Sequence, residues 1–196
     1  MTIQPVYIVD IIGTVVQTVQ TEVLATIQQN ETNALGQTNI RTINYQYGHF
    51  RELIQTLAQW DADLSLRTQK YPLVYLVQDF REGRGRAAGV YADVSLNIII
   101  CHQTEGDYKV AERMPNVFKP VLYPIYYSLI KQLTKHNLTF AASPDLVSHD
   151  KYDRAFWGTS KLVGGGATDR SMLNDFVDAI ELQNLQLKID YQPCFP

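Results

Sequence analysis

The sequence predicts an α+β fold: a mostly antiparallel sheet with a protruding hairpin arm, packed by an N-terminal helix and by a long helix that follows the hairpin. Three observations carry this. Apolar residues recur at helical spacing over 10–29. They alternate at strand spacing over 90–102, behind a shorter apolar run at 73–77. They return to helical spacing between Phe118 and Leu133. At 196 residues the chain is long enough for one sizeable core, so 1–196 reads as a single domain with an arm at 78–90 and a loop-rich segment at 143–175.

Each element follows from its pattern. In the first helix Ile11, Ile12, Val15, Val16, Val19, Val23, Leu24 and Ile27 form one stripe, and its many β-branched residues make it dependent on packing. The opposite face, Gln17, Gln20, Thr21 and Gln28, is polar and almost uncharged, which suits a subunit contact as well as water. Ile43, Tyr45 and Tyr47 alternate before Gly48, a short half-buried strand. Phe50, Leu53, Ile54 and Leu57 then give a helix ending near Trp60. In the hairpin's second strand Val90, Ala92, Val94, Leu96, Ile98 and Ile100 face a core; at 98–100 the alternation becomes a continuous apolar run, so that end is covered on both faces. Pro115, Pro120 and Pro124 predict an irregular or short helical entry up to about Lys119, then a helix from Pro120 that is open to a kink at Pro124. Residues 138–142 suit a strand, 143–153 read as turn, and the segment from Ala155 through the triple glycine reads as loop. In 176–191 two alternating sets are offset by one residue, which places a bulge or tight turn near Gln183 and Asn184 in a long final strand or hairpin.

Composition narrows the function. Seventeen basic and 20 acidic residues give a formal charge of -3, too acidic for a protein that coats nucleic acid with its whole surface. Cys101 and Cys194 form neither a metal-spaced cluster nor a disulfide framework and read as free thiols. The N-terminal stretch lacks a basic leader region, and Asp10, Thr14 and Gln17 interrupt its apolar residues, so neither a signal peptide nor a membrane span is expected. His49, His102, His136 and His149 show no metal-ligand spacing, and no nucleophile motif is present. No catalytic residue, cofactor site or metal site is expected. GRGRAAG and VGGGATD lack the patterns of phosphate-binding loops.

The arm, QDFREGRGRAAG, is the most distinctive local feature, because it mixes charges of both signs with glycines. Arg81, Arg84 and Arg86 make it basic enough to touch DNA phosphates or an acidic patch on a neighbouring subunit; Glu82 and Asp79 dilute the potential and favour the protein contact. Twelve tyrosines, Tyr91 among those on a polar face, add interface-type surface. The subunit-interface set is therefore Arg81, Glu82, Arg84, Arg86 and Tyr91. The contrasting reading is a metal-dependent nuclease that gathers Asp79, Glu82 and Asp93, or a DNA-binding protein that uses the same region.

The segments KYPLVYL, SLNIIICHQT and FKPVLYPIY, in the order of helix, strand, helix, hairpin and long helix, resemble tailed-phage tail terminator and head-to-tail connector (neck ring) proteins, in particular those of phages of Bacteroides-type hosts. The resemblance spans most of 1–191. It implies a virion structural protein that is not an enzyme and is made in the host cytoplasm. It also implies a homo-oligomeric ring, six- or twelve-fold, in the neck or tail. Such a ring abuts portal, connector or tail proteins, has no membrane partner, and passes genomic DNA through its lumen without sequence-specific contacts.

Overall fold

The computed structural model describes residues 7–63, 66, 69–84, 91–135, 147–157 and 175–190. In chain order these form α1 (Ile8–Leu35), β1 (Asn44–Gly48), α2 (Phe50–Ala62), β2 (Leu73–Arg84), β3 (Tyr91–Gln103), α3 (Val110–Arg113), a π-helical segment (Met114–Leu122), α4 (Tyr123–Lys135), β4 (Asp150–Arg154) and β5 (Val177–Asp190). The five strands make one sheet in the order β1-β2-β3-β5-β4. Only the β1–β2 pair is parallel; the other three pairs are antiparallel. The α+β class read from the sequence is the class observed.

One face of the sheet carries the larger core. Ile11, Ile12, Val15, Val16, Val19 and Ile27 of α1 lie with Val117, Val121, Leu122 and Ile125 of the π segment and α4 over Val94, Leu96, Ile98 and Ile100 of β3. By length and composition α1 is apolar enough to cross a bilayer, but its apolar stripe is buried here against the sheet and its helical neighbours. Its polar face is partly committed within the chain. Gln20 Oε1 accepts from the Ile43 N–H at 2.9 Å and the Thr42 hydroxyl at 2.6 Å, and Gln28 donates to the Ile40 carbonyl at 2.9 Å. Gly36, at φ 78°, ends α1 in the left-handed conformation that glycine adopts without a steric penalty.

The second face has a smaller core: Leu53 and Leu57 of α2 with Tyr71, Leu73, Tyr75, Ile99, Cys101, Trp157, Val177 and Ala179. This is the two-sided cover that the continuous run at 98–100 predicts, and α2 of the same chain supplies it. The β1-to-α2 turn is specified locally. Gly48 has φ 146°, and a Cβ there would lie 2.4 Å from Glu52 Oε2. Glu52 accepts from the His49 N–H at 2.8 Å while His49 Nδ1 accepts from the Arg51 N–H at 3.2 Å, which satisfies two donors at the helix start.

Several expectations need correction. The short, irregular helical entry expected before Pro120 is present as α3 and the π-helical segment, but the regular α-helix begins at Tyr123 rather than Pro120. Pro115 and Pro120 fall where helical spacing has opened to i→i+5 across Met114–Leu122, with the Tyr123 N–H on the Phe118 carbonyl. Proline lacks an N–H and clashes with the carbonyl four residues back in an α-helix, so the wider turn accommodates Pro120. Pro124 lies in the first turn of α4. β4 falls within the stretch read as turn: DKYDR has no apolar pattern, and it is a strand because it pairs with residues 179–183 of β5. The bulge in β5 is where the sequence puts it. Leu96 pairs with Leu185 but Ile98 with Leu182, and Asn184 has φ 56° with its N–H on Asn97 Oδ1 at 3.1 Å. The strand expected at 138–142 and the triple glycine lie outside the described residues.

Candidate functional site

The arm's first half is not a loop. β2 continues to Arg84 after an irregularity between Val77 and Arg81, and pairs with 92–95 of β3, which in turn pairs with 186–189 of β5. The outer half of the molecule is thus a three-stranded ribbon. Phe80, Ala92, Val94, Leu187 and Ile189 belong to the larger core on one side of it, so this part of the arm does bury apolar surface. Paired residues share a face. Arg81, Ser95 and Gln186 form one row on the opposite side, and Gly83, Asp93 and Lys188 the next; Gln186 donates to the Ser95 hydroxyl at 3.0 Å. That side is polar, of mixed charge and largely exposed. β1 ends opposite Val77, and among the described residues no strand pairs with the outer side of β2 beyond it.

The five residues read as interface are distributed as follows. Arg81 is exposed on the open face. Glu82 pairs with Val94 and is half-buried on the helix-covered face. Arg84 closes the described part of β2 opposite Ala92, and Tyr91 opens β3 opposite Asp190. Arg86 lies outside the described residues. The ladder therefore brings four of the five to one end of the ribbon and separates Arg81 from Glu82 by face. The same geometry separates the nuclease carboxylates: Asp93 sits with Gly83 on the open face, Glu82 with Val94 on the other, and Asp79 in the irregular segment. Among the described residues no three His, Cys, Asp or Glu side chains are placed to share a metal ion.

A second polar concentration, absent from the sequence reading, sits at the opposite end of the sheet. Arg113, almost fully buried, donates to Asp178 Oδ1 at 2.6 Å, to the Thr104 hydroxyl at 3.2 Å and to the carbonyls of Tyr108 and Glu105, with the Phe156 ring 3.6 Å from its guanidinium carbon. Lys70 pairs with Asp175, which also accepts from the Tyr71 hydroxyl at 3.2 Å. His102 lies 3.0 Å from Glu31, whose other oxygen accepts from Thr38 at 2.5 Å. Burial pushes the Glu31 carboxyl up, but the bonds from His102 and Thr38 outweigh it and hold Glu31 below the ordinary carboxylate range. A cavity of about 340 Å³ opens beside this pair. The signal available in sequence was slight: His102 and Asp178 stand in otherwise apolar strands, and their partners are scattered along the chain.

The remaining histidines have local roles. His49 caps α2. His149 bonds the Tyr126 hydroxyl at 2.9 Å and the Val147 carbonyl at 2.8 Å. His136 and Cys194 lie outside the described residues. Cys101 is fully buried and its thiol is pushed far above its ordinary range by burial, which makes it a poor nucleophile. Comparison with protein-family models, with curated proteins and with solved structures finds no match to this chain.

Proposed function

We propose that this chain is a structural subunit of a phage virion, forming a homo-oligomeric ring in the neck or tail around the DNA channel. It would adjoin portal, connector or tail proteins and have no catalytic role. The observation that supports this reading most is the outer ribbon. It presents a strand edge at 78–84 that no described strand pairs, next to a polar, mixed-charge face, so each subunit carries a backbone template and a charged surface in one place. A ring needs two different complementary patches on each subunit. The ribbon edge supplies one, and the exposed tyrosines at the other edge of the sheet, Tyr127 and Tyr152, offer surface for the other. The likeness of the KYPLVYL, SLNIIICHQT and FKPVLYPIY segments to neck and tail proteins points the same way.

The nuclease alternative finds no support in the placement of Asp79, Glu82 and Asp93, because their strand registers direct Glu82 and Asp93 to opposite faces. Charge reversal tests the ring reading. Arg81→Glu combined with Arg86→Glu is expected to reduce the assembly to smaller species by size-exclusion light scattering, with an unchanged circular dichroism spectrum. An unchanged ring mass would remove the arm from the contact.

A further inference from the structure

We infer that the cavity at the Glu31–His102 end is a binding site for a small, uncharged, polyhydroxylated molecule of monosaccharide size. Its volume of about 340 Å³ lies at the small end of ligand pockets, whose usual range is roughly 300–1,000 Å³. The lining is what selects the ligand. Gln37, Asn39, Gln103 and Asn116 line the cavity from three separate segments, and their side-chain amides make no hydrogen bond to any other described residue. An amide offers donors and an acceptor together, which is the complement of a hydroxyl that both donates and accepts. Asn116 reaches the cavity from the π-helical segment, and such widened turns recur at functional sites.

His102 adds a buried acceptor. A carboxylate only accepts, so the His102 Nε2–H donates to Glu31, and a neutral ring then carries its lone pair on Nδ1. Nδ1 is buried and has no hydrogen-bond partner among the described residues. A buried polar atom without a partner is costly, and since His102 lines the cavity, a small turn of its ring that brings Nδ1 to a ligand hydroxyl would relieve that cost. Tyr71 and Tyr108 supply ring surface for the C–H face of a sugar. Lys70 of the wall is matched by Asp175, and both Glu31 oxygens already accept, from His102 and Thr38; Glu105 is the remaining lining carboxylate, and the putrescine titration below probes it.

The test uses the full-length protein and long-range ¹H–¹⁵N spectra of the histidine rings. The His102 signals are assigned by elimination with His49→Gln, His136→Gln and His149→Gln. Glucose, ribose, inorganic phosphate and putrescine are titrated in turn. A neutral sugar at millimolar concentration is expected to shift the His102 ring nitrogens while phosphate and putrescine leave them in place. Asn116→Ala is expected to weaken that binding by about tenfold, the loss of one hydrogen bond, with the melting temperature unchanged. The proposal is overturned if neither sugar moves the His102 signals, if phosphate or putrescine moves them more than a sugar does, or if Asn116→Ala binds as tightly as the parent.

Discussion

Arg113 and Asp178 show how a charged pair can be retained in a small core. Both are buried, and the guanidinium also holds Thr104, the Tyr108 and Glu105 carbonyls and the Phe156 ring, which spreads its charge over many partners. Asp178 Oδ1 additionally accepts from the N–H of Phe156 at 3.0 Å, a residue held at φ 53°. Arg113→Met strands the carboxylate and is expected to cost about 3–5 kcal/mol by urea unfolding; adding Asp178→Leu should restore much of that loss. Gly48→Ala is a second residue-scale test. Both the φ of 146° and the 2.4 Å approach to Glu52 oppose a side chain there, and a loss of about 1–3 kcal/mol is expected from the same measurement. Glu31 gives the pH dependence. Its folded-state pKa is depressed, so its stabilising contribution is present above the ordinary value of 4.5 and is lost as pH falls through the folded value. Glu31→Gln should therefore flatten the decline of melting temperature on acidification below that point, and an unchanged decline would remove Glu31 from its cause.

At the scale of elements, legibility in the sequence follows how local the determinant is. The stripe of α1, the alternation of β3 and the offset that marks the β5 bulge are all written in adjacent residues, and each is found where its pattern lies. β4 is different: nothing in DKYDR favours a strand, and its existence depends on the β5 edge nearby in space but distant in sequence. The continuation of β2 through 78–84 was hidden for the same reason, because its charges and glycine suit a loop until β3 and β5 provide a ladder. Pro115 and Pro120 were read through α-helical geometry alone, and a π-helical segment accommodates them instead. The bulge can be tested directly. Asn184 sits at φ 56° and donates from Nδ2 to Asp150 at 2.9 Å, so Asn184→Val should cost about 1–2 kcal/mol in urea unfolding, while Asn184→Gly should cost less.

At the scale of the molecule, two ends of one sheet have separate characters. One end is a ribbon whose outer edge no described strand pairs and whose polar face is of mixed charge; the other gathers buried ion pairs and a cavity. The arm was legible because a stretch of mixed charge between two strands is visible in one run of sequence. The cavity was not, since its lining comes from α1, the segment after it, the start of β2, the end of β3 and the π-helical segment, and no spacing rule connects them. Ring assembly through the ribbon is the central claim, and negative-stain imaging of the purified protein tests it most directly. Closed rings of a single symmetry, six- or twelve-fold, are the predicted result; monomers at every concentration examined would contradict it.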